Sequence, residues 1–113
     1  MSRTLAPVSF TSEDIQLAAF AKAFAHPVRL NIIRILNEQA CCYNGDLTEI
    51  IPLAQSTISQ HLKVLVDAGL IKGEILPPKI KYCLNHENWN KAKTLFSQFL
   101  AFKTAEATCN STC

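Results

Sequence analysis

The residues of this 113-residue chain best suited to chemistry are its five cysteines. Cys41 and Cys42 are adjacent, beside an Asn44-Gly45 turn. Cys109 and Cys113 stand four apart, on one face if the last helix runs that far. A soft ion takes thiolates and little else. Trivalent arsenic and antimony take three sulfurs in a pyramid, and a vicinal pair plus one thiol from elsewhere supplies them. Adjacent cysteines cannot both enter one core, so at least one of Cys41 and Cys42 is expected near the surface. The competing readings are buried small apolar residues for that pair and incidental thiols for the tail. Cys83 alternates with apolar neighbours on a strand pattern and reads as structural.

A second group is polar. Leu53 to Leu65 carries Gln55, Ser56, Thr57, Ser59, Gln60, His61 and Lys63 on one side of a helical pattern. Glu and Lys are the commoner choice on a merely solvated helix face. Hydroxyls and amides there suit base edges and phosphate oxygens, and the helix amino terminus attracts phosphate. The bland reading is a polar surface turn with capping hydroxyls. The lysines that follow in a hairpin, Lys72, Lys79 and Lys81, favour double-stranded DNA; Lys79 and Lys81 are phosphate partners. His61 reads as a DNA-face or surface residue, and His26, beside Pro27, as a cap or packing residue.

Composition limits the alternatives. Hydrophobic residues make up 49% and charged residues 18%, an ordinary globular balance, with apolar content too high and net charge too low for disorder. The net charge of +2 is too small for binding nucleic acid by charge alone, so placement must do it. No Gly-rich phosphate loop and no Cys, His and acid set for nucleophilic catalysis is present, so an enzyme is not expected. No apolar stretch reaches the length of a membrane span. An odd cysteine count, without an apolar signal region in Met1 to Phe10, argues against a disulfide framework and for reduced thiols in a cytosol.

These residues need elements to hold them. Thr11 to Ala25 reads as a helix, capped by Thr11 or Ser12 and apolar on more than one face. Pro27 opens a second helix, to Gln39. Asp46 and Glu49 form a capping box for a short helix, Leu47 to Ile51, stopped by Pro52. Ala54 to Ala68 follows, with Ile58, Leu62, Leu65 and Val66 as its buried stripe and Gly69 just past its end. Leu70 to Leu76 and Lys79 to Leu84 form a hairpin with a stiff Pro77-Pro78 tip. Asn85 caps a last helix, His86 to Ala105, with a broad apolar face. The fold class is mainly α (α+β): four helices, two strands and a fifth helix, a winged helix-turn-helix. Residues 1–10 read as an arm, 11–105 as a DNA-binding and dimerisation domain, and 106–113 as a cysteine-containing tail.

His26-Pro-Val-Arg-Leu30, Gln55-Ser-Thr-Ile-Ser-Gln-His-Leu-Lys-Val-Leu65 and Asp67-Ala-Gly-Leu-Ile71 resemble the arsenic-repressor (ArsR/SmtB-type) family of winged-helix metalloregulators. The resemblance covers residues 15 to 102. It implies a homodimer made by the first and last helices, and repression of its own operon relieved by an inducer. Gln55, Ser56, Thr57, Ser59, Gln60 and His61 match the family's recognition helix. The sequence also departs from the family. Leu76-Pro-Pro-Lys79 replaces the usual Arg-x-Gly-Arg at the wing tip. The last helix lacks the Asp and His pairs of zinc and nickel sensors. The second helix has no mid-helix cysteine of the persulfide-sensor kind. The arsenic sensors' Cys-x-Cys before Asp-Leu is shifted back to Cys41-Cys42.

The expected function is repression released by arsenite As(III) or antimonite Sb(III), with Cys41, Cys42, Cys109 and Cys113 as the ligand pool and no organic cofactor. Alternatives are a redox-responsive repressor using Cys41-Cys42 or Cys109-Cys113, a cadmium, lead or zinc sensor, and a ligand-blind architectural module.

Overall fold

The computed structural model describes residues 9–39, 42–43, 47–76 and 79–104, with the backbone alone at 42–43, 74–76 and 79–80. Helix α1, Ser12–Ala23, starts at Thr11, whose Oγ1 accepts a hydrogen bond from the Asp14 N–H at 3.0 Å. That satisfies an otherwise unpaired donor, while Glu13 and Asp14 sit at the positive end of the helix dipole. Helix α2, Pro27–Glu38, has Pro in its first turn and His26 as its cap; His26 Nδ1 accepts from the Val28 N–H at 3.1 Å. Strand β1, Cys42–Tyr43, comes next. The sequence pattern does not announce it, because two residues are too few for alternation to register.

The expected short helix is a single 3-10 turn, Leu47–Glu49. The N–H groups of Ile50 and Ile51 both bond the Leu47 carbonyl. Pro52, with no N–H, blocks continuation. Among the described residues there are therefore four α-helices, not five. Helix α3, Gln55–Asp67, ends in a Schellman motif: the Leu70 N–H bonds the Leu65 carbonyl at 3.1 Å and the Gly69 N–H bonds that of Val66 at 2.9 Å. Gly69 has φ +81°. Strands β2, Ile71–Leu76, and β3, Lys79–Leu84, form the wing; its expected Pro77-Pro78 tip lies outside the described residues. Helix α4, His86–Leu100, is capped by Asn85 Oδ1, which accepts from the Asn88 N–H at 3.1 Å. It stops short of the expected Ala105, where the Ala101 N–H turns back to Gln98 in a tighter closing bond.

The sheet has the order β1-β3-β2, with both pairs antiparallel. The core joins Phe20 of α1, Ile32 and Leu36 of α2, Leu47, Ile58, Leu62 and Leu65 around the turn and α3, Leu70, Ile71 and Leu84 at the base of the wing, and Leu95 of α4. Val66, expected in the buried stripe, is 38% exposed. No helix among the described residues is long and apolar enough to cross a membrane.

Candidate nucleic-acid interface

Helix α3 divides sharply. Ile58, Leu62 and Leu65 are buried, while Gln55, Ser56, Ser59, Gln60 and Lys63 are exposed and Thr57 is half-buried. Burying the apolar stripe fixes the helix's rotation, so the hydroxyls and amides face outward together. Gln55 Nε2 donates to Ser59 Oγ at 3.2 Å, which links two of them one turn apart. The N-cap is Ala54, and no side chain caps the first-turn N–H groups. Those donors and the positive dipole end make the start of α3 suited to a phosphate. Lys63 Nζ pairs with Asp67 Oδ2 at 3.2 Å, with both side chains well exposed. Such a pair contributes about 0–1 kcal/mol, so a DNA phosphate competes easily for the ammonium.

His61 is placed differently from its neighbours. Its ring is half-buried and tilted over His26, with centroids 4.3 Å apart. Its Nδ1 lies 3.1 Å from Arg29 Nη1. A guanidinium has only donors, so His61 Nδ1 accepts and the ring is neutral, with its proton on Nε2. Burial first, then the charges of His26 and Arg29, lower its pKa from the ordinary 6.5. Arg29 also donates to the carbonyls of Ala23 at 2.8 Å and Lys22 at 3.0 Å. One guanidinium thus ties the end of α1 to α3. Sequence reasoning missed this role, although Arg29 stands in the His26–Leu30 motif.

In the wing, Lys72 is exposed and Lys81 half-buried, while only the backbone of Lys79 is described. Strand alternation puts Lys81 and Cys83 on one face of β3.

Cys42 stands opposite Cys83 in the β1–β3 register. Cys83 is disulfide-bonded, which corrects the expectation of reduced thiols throughout. The pairing of two strands from distant parts of the chain sets opposite each other two cysteine positions that sequence spacing does not connect. Cys41, Cys109 and Cys113 lie outside the described residues. Among the described residues no group of three or more His, Cys, Asp or Glu is placed to hold a metal ion.

The family model "Bacterial regulatory protein, arsR family" matches residues 26–72, from the start of α2 into β2. The chain is 39% identical over 75 residues to the HTH-type transcriptional regulator YgaV of Escherichia coli (strain K12), covering 66% of this chain and 76% of that protein. It is 42% identical over 69 residues to the arsenical resistance operon repressor of Bacillus subtilis (strain 168), covering 61% of this chain and 66% of that one. The fold matches that of an ArsR-like transcriptional regulator from Rhodococcus sp. RHA1, with a TM-score of 0.67, 20% identity and coverage of 80% and 85% of the two chains. A helix with an outward polar face, a wing beside it and these relatives lead to one conclusion: the chain belongs to the arsR family of bacterial regulatory proteins, DNA-binding transcriptional regulators rather than enzymes.

Proposed function

We propose that the chain is a homodimeric repressor that holds its operator with α3 and the wing, and releases it when trivalent arsenic or antimony binds cysteine thiolates. The observation that carries the DNA half is the outward set Gln55, Ser56, Ser59, Gln60 and Lys63 over a buried stripe. Residues 11–105 would form the binding and dimerisation unit, between the 1–10 arm and the 106–113 tail. The dimer reading is supported by exposed apolar residues near the ends of α1 and α4: Phe10, Ile15, Phe99, Leu100 and Phe102 are all more than half exposed. Apolar side chains on such helices call for a partner.

The inducer half is supported by the vicinal Cys41-Cys42 pair, by the tail thiols Cys109 and Cys113, and by similarity to a repressor named for arsenical resistance. Half-sites one turn apart tolerate little change in the spacing of two recognition helices. A ligand that alters that spacing needs a coupling of about 1–3 kcal/mol to act as a switch. The test is operator-bound fluorescence anisotropy titrated with arsenite under reducing conditions. Arsenite should release wild-type protein, while the Cys41→Ser/Cys42→Ser double variant should stay bound. Release of that variant at the wild-type concentration would overturn the assignment.

A second reading has one specific observation behind it. Because Cys83 is disulfide-bonded, release by thiol oxidation is the alternative signal. A repressor released by peroxide and indifferent to arsenite would establish that reading. Release by cadmium, lead or zinc salts instead would mark a different soft-metal sensor of the same fold.

A further inference from the structure

We infer that the cleft between α2 and the start of α4 is a binding site for a small aromatic carboxylate. The cleft holds about 350 Å³, within the range of small-molecule pockets, roughly 300–1,000 Å³. One wall is α2, through Leu30, Ile33, Arg34 and Asn37, at i, i+3, i+4 and i+7 along one side of the helix. Phe24, just past α1, lines it too, as do His86 and Trp89, one turn apart at the start of α4. Among the described residues, no cysteine and none of the outward residues of α3 lines it.

The depth and the mouth of the cleft differ in chemistry. Ile33 is buried, and Phe24, Leu30 and Trp89 are half-buried, so the inner surface is apolar. Phe24 and Trp89 meet edge to face, with ring centroids 5.7 Å apart. Such rings favour a further flat ring, stacked or edge-on, over an aliphatic chain. Arg34, Asn37 and His86 are exposed and stand at the mouth. No acid among the described residues pairs with the Arg34 guanidinium. Glu38 and Glu87, the acids next in sequence to Asn37 and His86, do not line the cleft.

A guanidinium binds a carboxylate through two parallel N–H···O bonds. The matching ligand is therefore amphipathic, with one or two fused aromatic rings inside and a carboxylate at the mouth facing Arg34. A bare anion would leave the apolar walls wet. An uncharged arene would leave the cation without its counterpart. Binding here does not depend on the repressor reading, and it is measured without DNA.

The experiment titrates the full chain with 2-naphthoate by calorimetry. It also follows the indole N–H resonance of Trp89, the only tryptophan in the chain. One site per chain and a shift of that resonance are expected. The uncharged analogue 2-naphthamide should bind about 10-fold or more weakly, and inorganic phosphate should not displace the acid. Arg34→Gln should weaken 2-naphthoate by about 10–100-fold, the order of a charge-assisted hydrogen bond, and leave the amide unchanged. Lys91→Gln removes a cation of α4 that does not line the cleft and should leave both ligands unchanged. Trp89→Leu should weaken acid and amide alike by about 2–10-fold, the order of an aromatic pair. Phe24→Leu takes its place where circular dichroism shows Trp89→Leu unfolded. No binding of 2-naphthoate, or binding that leaves the Trp89 resonance unmoved, would overturn the site; a cleft covered by a second copy of the chain would give the first of these results. Equal affinity for acid and amide, displacement by phosphate, or equal losses in Arg34→Gln and Lys91→Gln would overturn the ligand class.

Discussion

Arg29 Nη1 lies 3.1 Å from His61 Nδ1, and through this contact helix α3, with its outward polar face, is held to the junction of α1 and α2. The bond requires a neutral imidazole, because a protonated ring would present a second cation to the guanidinium. His61 is therefore a positioning residue in this arrangement, while the residues beside it face outward.

A pH dependence of stability follows from that contact. Burial, then His26 and Arg29, depress the His61 pKa from 6.5, so the unfolded chain takes up this proton at higher pH than the folded one. The stability His61 contributes is full above the ordinary value and is lost as pH falls through the folded pKa. Urea midpoints of wild type, measured from about pH 8 to about pH 5, should fall on acidification across the range where histidine titrates. His61→Gln, which keeps an acceptor and does not titrate, should show a shallower fall. Identical pH profiles for the two proteins would remove His61 as the cause.

The outward face of α3 predicts two different losses. Gln60→Ala should weaken specific operator binding by about 1–3 kcal/mol with little change in salt slope. Lys63→Ala should weaken binding to every duplex and lower the salt slope by about one. Its partner Asp67 gives a sign check: Asp67→Asn releases the ammonium and should tighten non-specific binding. Equal small effects on operator and random duplex would show that this face does not read DNA.

The dimer prediction concerns Phe99, 54% exposed on one chain. A carboxylate there stays hydrated in the monomer but would be buried in a dimer made on α4, which is costly. Phe99→Glu should therefore give a folded monomer, with wild-type helical circular dichroism and a halved mass in sedimentation. A wild-type protein already monomeric at micromolar concentration would contradict the dimer.

Gly69 supplies a stability test away from both sites. Its φ is +81°, and a Cβ added there would meet Asn88 Nδ2 at 2.7 Å. That amide donates to the Gly69 carbonyl at 2.9 Å, joining the end of α3 to α4. Gly69→Ala should cost about 1–3 kcal/mol in a urea melt, from backbone strain and the disturbed amide. A melt like that of wild type would show the loop relaxing freely.

The starts of the α-helices and the stop after α3 were legible along the chain because the groups that set them are sequence neighbours. Thr11 caps Asp14, His26 caps Val28, Asn85 caps Asn88, and Gly69 turns the chain after α3. The polar face of α3 was legible for a similar reason: its buried stripe follows helical spacing, so the remaining residues face outward together. Other features depend on residues far apart in sequence meeting in space. His61 and Gln60 are adjacent and both polar, yet packing of α3 on α2 puts His61 against Arg29, 32 positions away, and leaves Gln60 exposed. Strand β1 gains its identity from pairing with β3 rather than from its own two residues. Cys83 read as structural within its own strand; only the β1–β3 register sets it opposite Cys42. Sequence spacing reports neighbours within one element, whereas contacts between elements are set by how their apolar faces close over a shared core.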